Sequence, residues 1–203
     1  GNLGRSQVAT QELPNLCFTA IPDVYLLQKP YIVKGDTFGL RLGWRTIMAK
    51  SAKVLVTVRN PTINILIRHV GEHVVALDLM AGRDRLTVVN FYFPPSLPQT
   101  RLVNELKGVL DSISSSNILI AGDANVRSSL WGPEIGDHRP HDEGGPFIDM
   151  ILARRLFIRN DPASLPTFET ERAAGLMSPC DRNRYTIAWG IRCIELRLAI
   201  TIP

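Results

Sequence analysis

The stretch Asn117–Gly132, NILIAGDANVRSSLWG, decides the fold, because an apolar segment is followed at once by polar side chains. Ile118–Ala121 is an uninterrupted run of small apolar residues, which is typical of a strand buried on both faces. Gly122 is predicted to let the backbone turn sharply. Asp123 and Asn125 then lie where the strand ends. At such a position a central sheet holds polar groups rigidly and the following loop exposes them to a ligand.

The residue types at Asp123 and Asn125 point to two different roles. A carboxylate two residues from a carboxamide provides an acceptor for a metal or a water beside a neutral donor for an anionic oxygen. Asp and Asn are also common turn residues that bond their own backbone. The Asp-x-Asn pair alone is compatible with both the binding role and the turn role.

Length and composition predict one domain. With 203 residues, 45% hydrophobic and 21% charged, the chain can bury a sizeable core. No window approaches the roughly 18 apolar residues of a membrane span, and no signal segment opens the chain. We therefore expect a soluble, intracellular protein without a membrane partner.

Charge and cysteine usage narrow the class further. The net charge of +4 and a pI near 9.2 are compatible with a phosphate-rich partner but do not select one. Cys17, Cys180 and Cys193 are odd in number and irregularly spaced, which argues against a disulfide framework and a zinc finger. They are predicted to be buried free thiols.

Periodicity predicts alternating strands and helices. Gly1–Arg5 is expected to be the end of a first strand. The predicted helices are Ser6–Phe18, Pro98–Ser115 and Phe147–Leu156. Further strands are predicted at Asp23–Tyr31, Val54–Val58, Ile63–Ile67, Val74–Leu79 and Leu86–Phe93, the last four as an antiparallel meander. His69 and His73 flank a turn at Gly71, so we expect surface histidines rather than metal ligands.

The organising stretch resembles a known family. Gly122–Asn125 is similar to the Gly-Asp-x-Asn motif of the endonuclease/exonuclease/phosphatase family, and Ser128–Gly132 resembles its retrotransposon branch. That branch is the apurinic-endonuclease-like domain of non-long-terminal-repeat retrotransposons. The resemblance runs from Asn2 to about Thr170 and includes Leu165–Phe168.

The resemblance implies a fold and an activity. The implied fold is a four-layer α/β/β/α sandwich of two mixed sheets over residues 1–174, incomplete at both termini. The implied reaction is metal-dependent hydrolysis of a phosphodiester, with Mg²⁺ or Mn²⁺ as cofactor. The implied partner is double-stranded DNA, which is nicked in the nucleus to prime reverse transcription.

The resemblance also assigns site residues. Asp123 would orient or deprotonate the attacking water, Asn125 would bond the scissile phosphate, and Tyr92 would assist at the phosphate. Asn2, in an Asn-Leu-x-Arg segment, and Ser128 would contribute to substrate binding with Asn125. Asn2 and Asp123 are the provisional metal-binding residues.

Two departures from the family pattern predict impaired or absent activity. The family places a metal-binding Glu between Gln28 and Pro30, and this chain has Lys29, whose ammonium cannot coordinate Mg²⁺. A second interpretation of Lys29 is that it replaces the metal as a phosphate binder. The family's final acidic strand and Ser-Asp-His are also missing. Residues 175–203 form a divergent tail, which we interpret as a reading-frame shift because Leu198–Ile202 can be encoded so that another frame spells Ser-Asp-His-Asn.

Two other functions remain open from the sequence. One is a catalytically silent nucleic-acid-binding remnant. The other is a phosphatase of the same superfamily acting on a small phosphorylated substrate.

Overall fold

The computed structural model describes residues 2–15, 22–115, 117–126 and 144–156. The helices are α1 Gln7–Glu12, α2 Gln99–Asp111 and α3 Gly145–Ala153, and a 3-10 turn follows α1 at Leu13–Asn15. The strands are β1 Val24–Gln28, β2 Ile32–Val33, β3 Asp36–Thr37, β4 Arg45–Met48, β5 Val54–Val58, β6 Asn64–Val70, β7 Val74–Ala81, β8 Asp84–Tyr92 and β9 Ile118–Asp123.

The strands form two main sheets. One sheet has the order β1-β5-β4 with antiparallel pairing, and Asn2 adds a parallel bridge to Gln28 at its edge. The other has the order β6-β7-β8-β9, antiparallel except for the parallel pair β8 and β9. Strands β2 and β3 form a separate small hairpin.

Alternation along the strands creates the layers, because successive side chains point to opposite faces of a sheet. In β7, Ala76 packs in the cluster that contains Leu106 of α2, whereas Leu77 packs against Val56 of the other sheet. A third cluster covers the outer face of the three-stranded sheet, where Leu27 packs near α1. The predicted α/β sandwich is therefore confirmed, with helices outside two packed sheets.

The predicted meander is wrong in its first strand. β5 pairs with β1 and β4, and only β6, β7 and β8 form a meander. All five residues of β5 are buried, because it lies in the middle of its own sheet and packs against the other one. Apolar strand patterns indicate a buried strand but not its partner.

The predicted surface position of His73 is also wrong. His73 is only 5% exposed, and its backbone N–H donates to Glu105 Oε1 at 3.1 Å, so α2 covers it. Burial lowers its imidazole pKa, opposed by the charges of Glu105 and Glu72. The cost of charging a buried imidazole is the cause.

Several elements are shorter than predicted or were missed. The helix predicted over Ser6–Phe18 has a confirmed cap at Ser6, whose side chain accepts from the Ala9 N–H, but α1 ends at Glu12. Neither β4 nor the β2–β3 hairpin was predicted. No helix in the described part of the chain is long and apolar enough to cross a bilayer. Ser128, residues 157–203 and the three cysteines lie outside the described residues.

Candidate functional site

Asp123 is the centre of the candidate site and the last residue of β9. Its carboxylate is buried, and both oxygens accept hydrogen bonds. Oδ2 accepts from Asn2 Nδ2 at 2.7 Å, and Oδ1 accepts from the Asn125 backbone N–H at 3.0 Å. The chain start and the loop after β9 are thus joined through one carboxylate.

Gly122 does not form the turn that the sequence predicted. It lies inside β9, and a Cβ built on it would be 2.4 Å from the backbone oxygen of Phe91 in the neighbouring strand. Only a residue without a side chain allows this approach. The close pairing sets Asp123 opposite Tyr92 in the parallel register of β8 and β9.

Asn125 supplies the turn instead. Its φ of +48° lies in the left-handed region, which Asn tolerates better than most residues. Its Nδ2 donates to the Phe93 backbone oxygen at 2.7 Å, and its side chain also hydrogen-bonds Tyr92. The carboxamide is therefore held between the ends of β8 and β9.

Tyr92 presents a buried phenol to this group. Burial and the negative charge of Asp123 raise its pKa, while the Asn125 hydrogen bond and the charge of Arg5 lower it. The net direction is upward, so the hydroxyl stays protonated at neutral pH and can donate a hydrogen bond.

The Asp123 carboxyl has a raised pKa. Burial is the main cause, because it penalises the charged form. The Asn125 and Asn2 hydrogen bonds and the positive charge of Lys29 oppose the rise without cancelling it. The group is therefore a stronger base than an ordinary aspartate, which suits proton abstraction from a water.

Lys29 brings a fixed positive charge to the same place. Its Nζ lies 5.5 Å from the centroid of the Tyr92 ring, within cation–π range. Its φ of +48° is strained for a non-glycine residue. Backbone bonds hold it there, since its N–H donates to Lys53 O at 2.8 Å and its oxygen accepts from the Arg5 N–H at 2.7 Å.

The described side chains do not fit a divalent cation. Asp123 contributes the single carboxylate, and both of its oxygens are engaged. Asn2 Oδ1 accepts from the Gly4 N–H at 3.0 Å, and the Lys29 ammonium repels a cation. Within the described ranges no three His, Cys, Asp or Glu side chains converge on a metal position. Mg²⁺ in proteins is usually held by one or two carboxylates together with waters and substrate phosphates, and here the one carboxylate described at the site has a lysine ammonium beside it.

The structure brings together four of the five residues expected from the sequence. Asn2, Tyr92, Asp123 and Asn125 are neighbours through the contacts above, and Ser128 falls outside the described residues. Their catalytic and binding roles stay predictions.

One supporting residue was missed. Asn90 is fully buried, and its Nδ2 donates to Leu27 O at 3.1 Å and Leu55 O at 2.8 Å, while its Oδ1 accepts from Gln28 Nε2. It ties the two sheets together two residues before Tyr92. The signal was present, because a carboxamide inside the apolar run Val88–Phe93 requires internal partners.

Comparisons with known proteins support the family resemblance that the sequence motifs predicted. A family model described as endonuclease-reverse transcriptase matches residues 86–177, from within β8 onward. The class suggested by the organising motif is thus found again by an independent comparison.

A comparison with solved structures finds one endonuclease domain of similar fold. The chain is similar to the endonuclease domain of TRAS1, a telomere-specific non-LTR retrotransposon, with 24% sequence identity and a TM-score of 0.69. The match covers 85% of this chain and 76% of that chain. No curated protein matches. The family resemblance and the sandwich fold are both confirmed.

Proposed function

We propose that the chain is a retrotransposon-type endonuclease domain that binds double-stranded DNA at the Asp123 site but nicks it poorly or not at all. The observation that carries the proposal is the Lys29 ammonium beside Asp123 and over the Tyr92 ring. The family resemblance implies a metal-binding Glu at that position. On this proposal the domain acts in the nucleus, where its DNA substrate is.

Phosphate binding is supported by the charges and donors of the site. The positive charge of Lys29 opposes the negative charge of Asp123, so an approaching phosphate does not meet an uncompensated carboxylate. The Tyr92 hydroxyl and the Asn125 carboxamide are neutral donors of the kind that contact phosphate oxygens. The excess of basic residues in the chain favours the same partner.

Weak hydrolysis is supported by the same residues. Asp123, with its raised pKa, is a suitable base for a water, but an ammonium does not acidify a bound water as a divalent cation does. Mg²⁺ or Mn²⁺ would serve a domain of this class, but the donor set described above does not fit either ion. Removal of one group that stabilises transition-state charge typically costs about 10²–10³-fold in rate.

Two assays on the same preparations test the proposal. Supercoiled plasmid in Mg²⁺ reports nicking, and fluorescence anisotropy with a labelled duplex reports binding. We expect binding that weakens steeply with salt and nicking no higher than that of Asp123→Ala. Nicking by the wild type that disappears in Asp123→Ala would refute the proposal that nicking is impaired. Absence of duplex binding even at low salt would refute the DNA-binding function.

A further inference from the structure

Three polar side chains from different elements meet at the turn between β6 and β7. They are His69 near the end of β6, His73 just before β7 and Glu105 in α2. A Cβ built on Gly71 in this turn would lie 2.3 Å from both His69 Nε2 and Glu105 Oε1, so the turn packs directly against the two side chains. None of the three side chains belongs to the candidate site described above.

One carboxylate oxygen faces both histidines. Glu105 Oε1 accepts from the His73 backbone N–H at 3.1 Å and lies 4.0 Å from His69 Nε2. The ring atoms His69 Nε2 and His73 Nδ1 are buried without a hydrogen-bond partner among the described residues. Buried polar atoms usually have a partner, and leaving one unpaired is costly. The turn therefore places two imidazoles with unmet hydrogen-bonding capacity beside the Glu105 carboxylate.

His73 connects Glu105 to Tyr92 of the candidate site. Its N–H donates to Glu105 Oε1, and its backbone oxygen accepts from the Tyr92 N–H at 3.1 Å. This second bond lies next to the last pair of the β7–β8 ladder, Val74 with Phe91. A movement of the Glu105 carboxylate would therefore reach Tyr92 through one residue.

The same turn is bonded to the segment that holds Lys29. The Gly71 backbone oxygen accepts at 2.9 Å from the N–H of Lys50, which lies in the turn between β4 and β5. In that second turn, the backbone oxygen of Lys53 accepts from the Lys29 N–H at 2.8 Å. Lys29 Nζ in turn lies over the Tyr92 ring. Both partners of this cation–π contact thus depend on the position of the β6–β7 turn.

The charges around His73 oppose one another. Burial lowers the pKa of its imidazole, the charges of Glu105 and Glu72 raise it, and those of Lys53 and Arg101 lower it. The net direction is downward, so the ring is neutral at neutral pH. Imidazole is the side chain that gains its charge between about pH 8 and 5. A buried ring that becomes charged needs an anionic partner, and Glu105 is the acidic side chain that already contacts His73.

We propose that Glu105 is a positioning residue of the candidate site, acting through the β6–β7 turn. At neutral pH its carboxylate holds the turn by the His73 N–H, and the turn fixes Tyr92 and Lys29. In acid the carboxylate pairs instead with a protonated imidazole of His69 or His73, and the turn no longer fixes either residue. The inference rests on the proposed function only for its effect on DNA binding, since the hold on Tyr92 and Lys29 requires no ligand.

Duplex affinity as a function of pH gives the first test. Net charge alone predicts tighter binding in acid, because protonated histidines add positive charge. Between about pH 7.5 and 5.0 we expect the opposite, a loss of about fivefold, at the low end of typical couplings between two sites. Affinities are compared over the part of this range in which circular dichroism shows a folded chain. Affinity that rises or stays level in acid would overturn the inference.

Glu105→Gln separates the hydrogen-bond acceptor from the charge. The amide oxygen can still accept from the His73 N–H, but no carboxylate remains to pair with a charged imidazole, so the acid loss should shrink. Glu12→Gln is the matched control, because it removes the same charge from an exposed residue of α1 and should keep the wild-type acid loss. At pH 7.5 the two variants should bind alike, whereas Glu105→Ala, which also lacks the acceptor, should bind more weakly. An acid loss in Glu105→Gln equal to that of the wild type would contradict the positioning role.

A measurement without DNA separates this inference from the proposed function. Protons over the face of an aromatic ring are shielded, so the Lys29 side-chain CH₂ signals should lie upfield, and Tyr92→Leu should return them to ordinary positions. In acid this upfield shift should shrink in the wild type and persist in Glu105→Gln. Such a result in a protein that does not bind duplex would retain the positioning role and refute the DNA function. An upfield shift that acid leaves unchanged would refute the positioning role even in a protein that binds duplex.

Discussion

Gly122→Ala tests how β9 positions the candidate site. The new Cβ would lie 2.4 Å from Phe91 O and 2.5 Å from Phe91 Cδ1, against at least 3.4 Å for ordinary contact. To lengthen the contact with Phe91 O from 2.4 Å to 3.4 Å, the strands would therefore have to separate by about 1 Å. The Phe91 ring cannot easily move away, since it packs 4.7 Å from Phe93 and 5.6 Å from Phe147. Overpacking of this kind costs about 1–3 kcal/mol, and a backbone clash favours the upper end.

Gly108→Ala is the matched control, because it adds the same methyl group where nothing lies within 4 Å. Gly108 is inside α2, so alanine should stabilise the helix by about 1 kcal/mol. The two substitutions should therefore shift the urea midpoint in opposite directions. In thermal unfolding, Gly122→Ala should melt about 6–12 °C lower than the wild type. Wild-type stability of Gly122→Ala would refute the close-approach explanation of this glycine.

Two further predictions concern charge. Lys29→Glu should bring measurable Mg²⁺ or Mn²⁺ binding by calorimetry, because it replaces a repelling cation near Asp123 with an oxygen ligand, but nicking should stay absent. Lys50→Glu is the control. Full nicking activity from Lys29→Glu alone would contradict the proposal that the domain nicks DNA poorly or not at all. His73→Gln should reduce the loss of stability in acid. Because burial lowers the folded pKa of His73, the unfolded state binds more protons below about pH 6.5, so wild-type stability falls as pH drops through that range. Urea midpoints at pH 7.5 and pH 5.5 measure it, and an equal acid-induced loss in both proteins would argue against a buried imidazole.

The sequence predicted the parts of the fold that depend on local pattern. Strand β5 has its predicted bounds, and the strand at Ile118 and the helix at Pro98 are confirmed within a few residues. Apolar periodicity determines these elements directly. It does not determine which sheet receives β5, because that choice depends on long-range packing of two faces that are both apolar.

The part of the candidate site that lies within a sequence motif was predictable, whereas the part that long-range packing assembles was not. Asp123 and Asn125 stand two residues apart, so their proximity was visible in the sequence. The role of Gly122 was not, because glycine serves both turns and close approaches, and only the distance to Phe91 distinguishes them. The proximity of Arg5 to Lys53 was not predictable either, since backbone bonds to Lys29 bring their two segments together.

Lys29→Met tests whether the ammonium controls the charge of Asp123. The positive charge of Lys29 lowers the Asp123 pKa against a larger opposing effect of burial. Methionine keeps most of the side-chain volume and removes the charge, so the Asp123 pKa should rise further above its ordinary range. Carboxyl carbon shifts followed through a pH titration would measure it, with Lys53→Met as the control for net charge. An unchanged Asp123 titration in Lys29→Met would mean that the ammonium does not act on the carboxylate. The proposed compensation of charge at the phosphate would then have no basis, because an ionised Asp123 would repel the phosphate that the site is proposed to bind.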